Sequence, residues 1–374
     1  MHIKNEMGGV VRSFLLAGTV IAAALLGGVA AQAATMVYVG DADSNDVRVM
    51  SMDAATGDLT DLQKVPLPNK PGGSTPMAVS PDKKFLFVGV RSQPYTVATF
   101  AIDPSNGKLT HIGDGPLADS MAYIKPDRTG HFLLGASYPG HKISVNPIGA
   151  NGVVGPVKQT IGDIPNAHSI QLDNANRFVL VPSLGSDTVR QFAFDAKTGT
   201  LTPNSPDRIT LAPKDGPRHF AFDADDNHVY LITETSAKLY VFDYDKQTGQ
   251  LSQKQQTDFT VKGYVPSDAS WLAADVHMTP DGKFLYSSVR STSTISAFKI
   301  DPGTGMVSPI GRYPTETFPR GFAIDPTGHF LLASGQLSDH VMSYAIDQQT
   351  GELTILKRYP VGNNPNWIEF VTLP

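Results

Sequence analysis

Seven glycines punctuate this chain at nearly even intervals, each opening a short turn of the form Thr/Asn-Gly-x-Leu/Val: Gly57, Gly107, Gly152, Gly199, Gly249, Gly305 and Gly351. Their successive spacings are 50, 45, 47, 50, 56 and 46 residues, and strand-like apolar segments opening at Val37, Phe85, Phe132, Phe178, Val229, Phe284 and Phe330 keep step with them. A period of about 40 to 50 residues with several short strands per unit is the pattern of a β-propeller blade rather than of a helical solenoid. No sustained 3.6-residue apolar period argues for crossover helices. The expected fold is therefore all-β, a seven-bladed β-propeller with four-stranded antiparallel blades.

Residues 1–33 stand apart from the repeat. Lys4 and Arg12 precede the apolar run Phe14 to Ala31, which ends in Ala31-Gln32-Ala33, the pattern of a cleaved signal peptide. Residues 34–374 then form one domain, since no linker or charge run interrupts the spacing. Cysteine is absent, which excludes disulfides, a thiolate nucleophile and Cys-ligated metal, and fits a periplasmic or secreted protein with a core large enough to need no staples. The net charge of −5 argues against nucleic acid as a partner, and nothing after the leader suggests a membrane span.

The repeat begins out of phase. Met36 to Gly40 reads as the second strand of a blade with no first strand before it, whereas Asn364 to Phe370 aligns with Phe318 to Ile324, a first strand. The C-terminal strand is expected to join the N-terminal blade and so remove the open sheet edge.

With strands a to d running antiparallel in each blade, the a-to-b and c-to-d turns lie on one face and the b-to-c and d-to-a connections on the other. The a-to-b turns, such as Pro81-Asp82 and Pro280-Asp281, are ordinary turn formers, and His131, His228 and His329 beside them read as surface residues. The opposite face is richer. His168, Arg218, His219, His277 and Arg320 stand where strands a begin, and Arg91, Glu234, Arg290 and Gln336 where strands b end. By register, Arg218 is expected to match Arg320, and His168 to match His219, all converging on one end of the central channel. So many His and Arg around one funnel suit an anionic or oxygen-rich ligand. No G-x-S-x-G elbow, H-E-x-x-H, P-loop or Rossmann fingerprint occurs, and the arginines beside the histidines disfavour a metal cation, so neither metal nor cofactor is expected.

Gly216-Pro217-Arg218-His219, Ala273 to Gly282 and Pro319-Arg320-Gly321-Phe322 resemble the lactonase family of seven-bladed propellers, and the likeness runs through essentially the whole of residues 34–374. The family includes bacterial 6-phosphogluconolactonase-type enzymes and fungal carboxymuconate cyclases. The resemblance implies a lactone hydrolase with His168, Arg218, Glu234 and Arg290 as catalytic residues, and Arg91, His219, His277, Arg320 and Gln336 binding a small lactone or acidic sugar. Either Glu234 or His168 is the base that takes a proton from water, and the arginines hold the oxyanion or clamp an acid group. Export points to an unphosphorylated sugar lactone. Two other readings use the same residues: a non-catalytic propeller binding an anion or a protein, and a lactone-forming cycloisomerase.

Overall fold

The computed structural model describes residues 34–260, 262–266 and 270–373 together with Gly9. The proposed leader, 1–33, otherwise lies outside the described residues. Residues 33–374 form one compact unit of seven four-stranded antiparallel sheets. Blade 1 has strand a at Pro365–Thr372, b at Thr35–Asp41, c at Asp46–Met52 and d at Leu59–Pro66. Strands b and c of blades 2 to 7 begin at Phe85 and Thr96, Phe132 and Lys142, Phe178 and Thr188, His228 and Lys238, Phe284 and Thr294, and Phe330 and His340. Among the described residues the only helical piece is the 3₁₀ turn Leu184–Ser186.

The expected closure is present. Strand a of blade 1 pairs with the N-terminal strand along its length, from Thr35↔Thr372 to Asp41↔Pro365, so the last described residues complete the sheet begun by the first.

Strand b of every blade is buried on both faces, which is why these strands read as continuous apolar runs instead of alternating with polar residues. In strand b of blade 2, Leu86 and Val88 enter a core shared with blade 1, while Phe87 enters one shared with blade 3. Seven such cores separate the seven blades, one per neighbouring pair. At roughly 25 cal/mol per Å² of apolar area buried, these cores are the main stabilising contribution of the ring.

The two periodic sequence markers meet across these interfaces. All seven turn glycines have φ between 66° and 82°, the left-handed region that L side chains enter only with strain. A Cβ on Gly199 would strike the Phe132 ring of the preceding blade, and Gly57, Gly152, Gly249 and Gly351 face Phe330, Phe85, Phe178 and Phe284 in the same way. At Gly305 the partner is His228. That residue is half-buried and paired with Asp223 at 2.8 Å, a plug between blades and not the surface histidine that its turn position suggests. His131 and His329 are exposed, as expected.

Candidate functional site

The backbone before strand a aims side chains into the channel. The residue just ahead of that strand is left-handed in four blades, at Gly216 (φ 66°), Leu272 (55°), Phe318 (61°) and Asn364 (57°), and in blade 4 Asn166 (49°) stands just before the bridge Ala167↔Ser183. For Leu272 and Phe318 this is a strained conformation of a kind that clusters at functional sites. Strand a then carries a register shift, between Pro217 and Phe220 in blade 5 and between Pro319 and Phe322 in blade 7. A bulge of this sort re-aims side chains, and here it presents two consecutive residues of each blade to the axis.

The observed register corrects the sequence alignment of the histidines. The bridge Ala167↔Ser183 corresponds to Pro217↔Thr233 and Pro319↔Gly335, so His168 shares the position of Arg218 and Arg320. His219 lies one residue further along, level with Asp275, Tyr123 and Trp367. The sequence assigned His168 and His219 to one position because blade 4 has only a two-residue strand a, Gln171–Leu172, and its irregular approach hides the register.

Glu234, the residue after strand b of blade 5, is the anionic centre of the funnel. Its Oε2 accepts from Arg218 Nε at 2.6 Å and pairs with an Arg290 terminal nitrogen at 3.0 Å. Arg218 is 1% exposed and also donates to the Ala274 carbonyl, and Arg290 Nε donates to the Leu272 carbonyl at 2.9 Å. The Arg290 guanidinium lies over the Phe318 ring, 5.4 Å from its centre, a cation–π contact. Burial alone would raise the Glu234 carboxyl, but Arg290, Arg218 and Arg320 outweigh it and hold the carboxyl below its ordinary value. It is a carboxylate at neutral pH. Burial brings Arg218 down to about 10, with Glu234 opposing the fall.

His168 is buried against the rings of Tyr138 and His219, and its Nδ1 has no hydrogen-bond partner among the described residues. Burial, reinforced by Arg218 and His219, holds its imidazole well below the usual range, so it is neutral. His219 Nδ1 bonds Asp275 Oδ1 at 2.9 Å, and its buried Nε2 has no partner among the described residues. Burial and Arg218 bring His219 down to about 4. Asp275 itself is held far below the carboxylate range: burial opposes this, but His277 and His219 prevail.

Arg320 forms no hydrogen bond or ion pair among the described residues, and burial together with Arg218, Arg290 and Arg91 depresses its guanidinium. Arg91 bonds the hydroxyls of Ser74 and Ser120, at 2.6 and 3.1 Å. Gln336 hangs on the Phe318 carbonyl through its backbone N–H, and its Oε1 is buried without a partner among the described residues. Arg91, Arg218, Arg290 and Arg320 thus outnumber two carboxylates, Glu234 in the funnel and Asp275 at its constriction, and leave local positive charge.

His277 does not belong to this funnel. It pairs with Tyr286 midway along strand a of blade 6, two residues beyond Asp275, and its Nε2 meets Asp275 Oδ2 at 3.2 Å. The sequence placed it by its neighbours in the Ala-Asp-Val-His segment, and the two-residue step carries it past the constriction. Above it, His168, Arg218, His219 and Arg320 line a void of only about 10 Å³. Below, the channel widens to a cavity of about 340 Å³ that runs to the a-to-b turns at Pro280 and Pro326. Asp275, Tyr123 and Trp367 were missed as axial residues, although alignment of strands a shows them level with His219.

Fold and funnel together define a class: a closed seven-bladed propeller with an arginine- and histidine-lined small-molecule recess where its innermost strands begin. The chain belongs to the lactonase family of seven-bladed β-propellers, whose family model matches residues 36–370. It is 39% identical over 290 residues to a 6-phosphogluconolactonase of Pectobacterium carotovorum, covering 78% of this chain and 84% of that protein. Identity to a 6-phosphogluconolactonase of Yersinia pestis is 41% over 292 residues, covering 77% and 84%. Among solved structures, the periplasmic gluconolactonase of Pseudomonas aeruginosa superposes with a TM-score of 0.83 at 26% identity, covering 91% of this chain and all (100%) of that one.

Proposed function

We propose that this protein is a lactone hydrolase that opens a sugar lactone in the funnel. The observation that carries this reading is the pairing of a neutral, unpartnered His168 with the buried Arg218–Glu234–Arg290 cluster and the unpaired Arg320. Water attacks the lactone carbonyl and gives its proton to His168. The carbonyl electrons move onto oxygen, where Arg320 and Arg218 hold the negative charge. As the tetrahedral intermediate collapses, the ring C–O bond breaks and the proton passes from His168 to the leaving alkoxide, giving a hydroxy acid. Glu234 is already engaged by two guanidiniums through Oε2, so its role is to fix their geometry, and His168 is the base. Arg91, His219 and Gln336 bind sugar hydroxyls or the acid group at the rim.

The substrate is an unphosphorylated sugar lactone in the periplasm or outside the cell. Support comes from the leader-like residues 1–33, the absence of cysteine, and the similarity to a periplasmic gluconolactonase. The test is a pH-stat assay of residues 34–374 with glucono-lactone and with its 6-phosphate, alongside His168→Ala, Arg218→Ala and Glu234→Ala. Glucono-lactone should open well above the buffer rate and faster than the phosphorylated form. Opening of neither sinks the hydrolase reading, and preference for the phosphate sinks the substrate assignment.

A further inference from the structure

Beneath the funnel constriction the axis opens into a chamber. Its volume of about 340 Å³ falls within the size range of small-molecule sites. The walls divide by chemistry. Met278, Phe322, Ile324 and Phe370, from blades 6, 7 and 1, make an apolar side. Across the ring, Lys125 of blade 3 projects an amine that makes no hydrogen bond or ion pair among the described residues. Glu369 shares the chamber but spends Oε1 on the Trp367 indole N–H at 2.9 Å and does not pair with Lys125. His277 reaches the same space with its Nε2 on Asp275 Oδ2 at 3.2 Å, and Asp275 and Asp325 line the chamber too.

Glu369 acts on Lys125 only at a distance, and an ammonium without a direct ion-pair partner at this wall is costly: burial lowers the Lys125 amine and raises the Glu369 carboxyl. A ligand carboxylate would relieve that cost at Lys125, and the opposite wall would desolvate an apolar body. We propose that the lower chamber is a second small-molecule site, opening on the a-to-b turn face, that takes a monocarboxylate with an apolar body: the carboxylate on Lys125, the body against Phe322 and its apolar neighbours. This site does not depend on lactone hydrolysis in the funnel and is read by binding alone.

Isothermal titration calorimetry with benzoate and benzylamine tests it on residues 34–374. Benzoate should bind saturably, Lys125→Met should weaken it at least tenfold, and Arg320→Ala should leave it unchanged. Lys125→Met keeps the apolar bulk and removes an unpaired charge, so its melting temperature should equal or exceed that of the wild type. Three results overturn the proposal: no saturable benzoate binding, benzoate binding that is lost in Arg320→Ala but kept in Lys125→Met, which would put the anion in the funnel, or a preference for benzylamine.

Discussion

Arg218 Nε donates to Glu234 Oε2 across 2.6 Å, joining the first strand of blade 5 to the residue that leaves its second. Arg290 of blade 6 pairs with that same oxygen at 3.0 Å, so one carboxylate atom holds two blades' guanidiniums at the axis. Glu234→Gln should therefore act on stability and turnover together. Breaking one side of a buried ion pair costs about 3–5 kcal/mol, and kcat should fall by about 10² or more as the oxyanion-holding arginine is misplaced. Denaturant titration and initial rates on the same preparation check both. His168→Asn should lower kcat by about 10² to 10⁴ with little change in the melt, and a large loss of stability there would contradict its assignment as the base.

Burial and Arg218 hold His219 at about 4, against 6.5 for an ordinary imidazole. The unfolded chain takes up this proton first, so the stabilisation is complete above pH 6.5 and is lost as pH falls from there towards 4. The slope should not exceed about 1.4 kcal/mol per pH unit for the one group. Melting temperatures between pH 7 and 4.5 should decline in the wild type and decline less steeply in His219→Gln. His168 is depressed in the same direction, so kcat/KM for the lactone should show no acid limb near pH 6.5.

Asp41 moves the other way. Burial pushes its carboxyl up to about 8 despite the bond from the Gly362 N–H. The unfolded chain releases this proton near 3.8, so the protonated form stabilises the fold at low pH and that contribution is lost as pH rises towards 8. Asp41→Asn should therefore raise the melting temperature more at pH 8 than at pH 5. Equal shifts at both values would show that Asp41 is ionised throughout.

Gly199 and Phe132 belong to neighbouring blades, and both the left-handed φ of 66° and the ring forbid a side chain at the glycine. Gly199→Ala should destabilise by about 1–2 kcal/mol from the backbone alone, with more from the ring. A double-mutant cycle with Phe132→Leu separates the parts. Recovery of some of the loss in the double variant is expected, because the smaller side chain clears the added methyl.

The repeat was legible because its two markers are under independent steric demands: the glycine by its turn, the aromatic by the neighbour it fills. Face assignment followed from antiparallel pairing and placed Arg218, Glu234, Arg290 and Arg320 together. What could not be read was displacement along a strand. The bulge after Pro217 and the short strand before Leu172 shift side chains by one position, which separated His168 from His219 in register, and the two-residue step past Asp275 put His277 in a different chamber. Bulges have weak sequence signals, so polar residues at strand starts are assigned to a face more securely than to a depth.

Removing the residues after Pro360 should lower the melting temperature sharply or abolish folding, because Pro365–Thr372 is the inner partner of Thr35–Asp41. An unchanged melt would show that the ring closes without that strand.

That pairing also sets an order of events during synthesis. Of the ring's strands, Thr35–Asp41 is made first and its neighbour on the axis, Pro365–Thr372, last. Until then it presents an unsatisfied sheet edge, and the loop that must close spans nearly the whole chain. Blades 2 to 7 can assemble as an open arc while the protein is still being made. The ring can close only once Pro365–Thr372 has been made, so chains lacking that strand should lack a finished axial funnel however much of their sheet has formed.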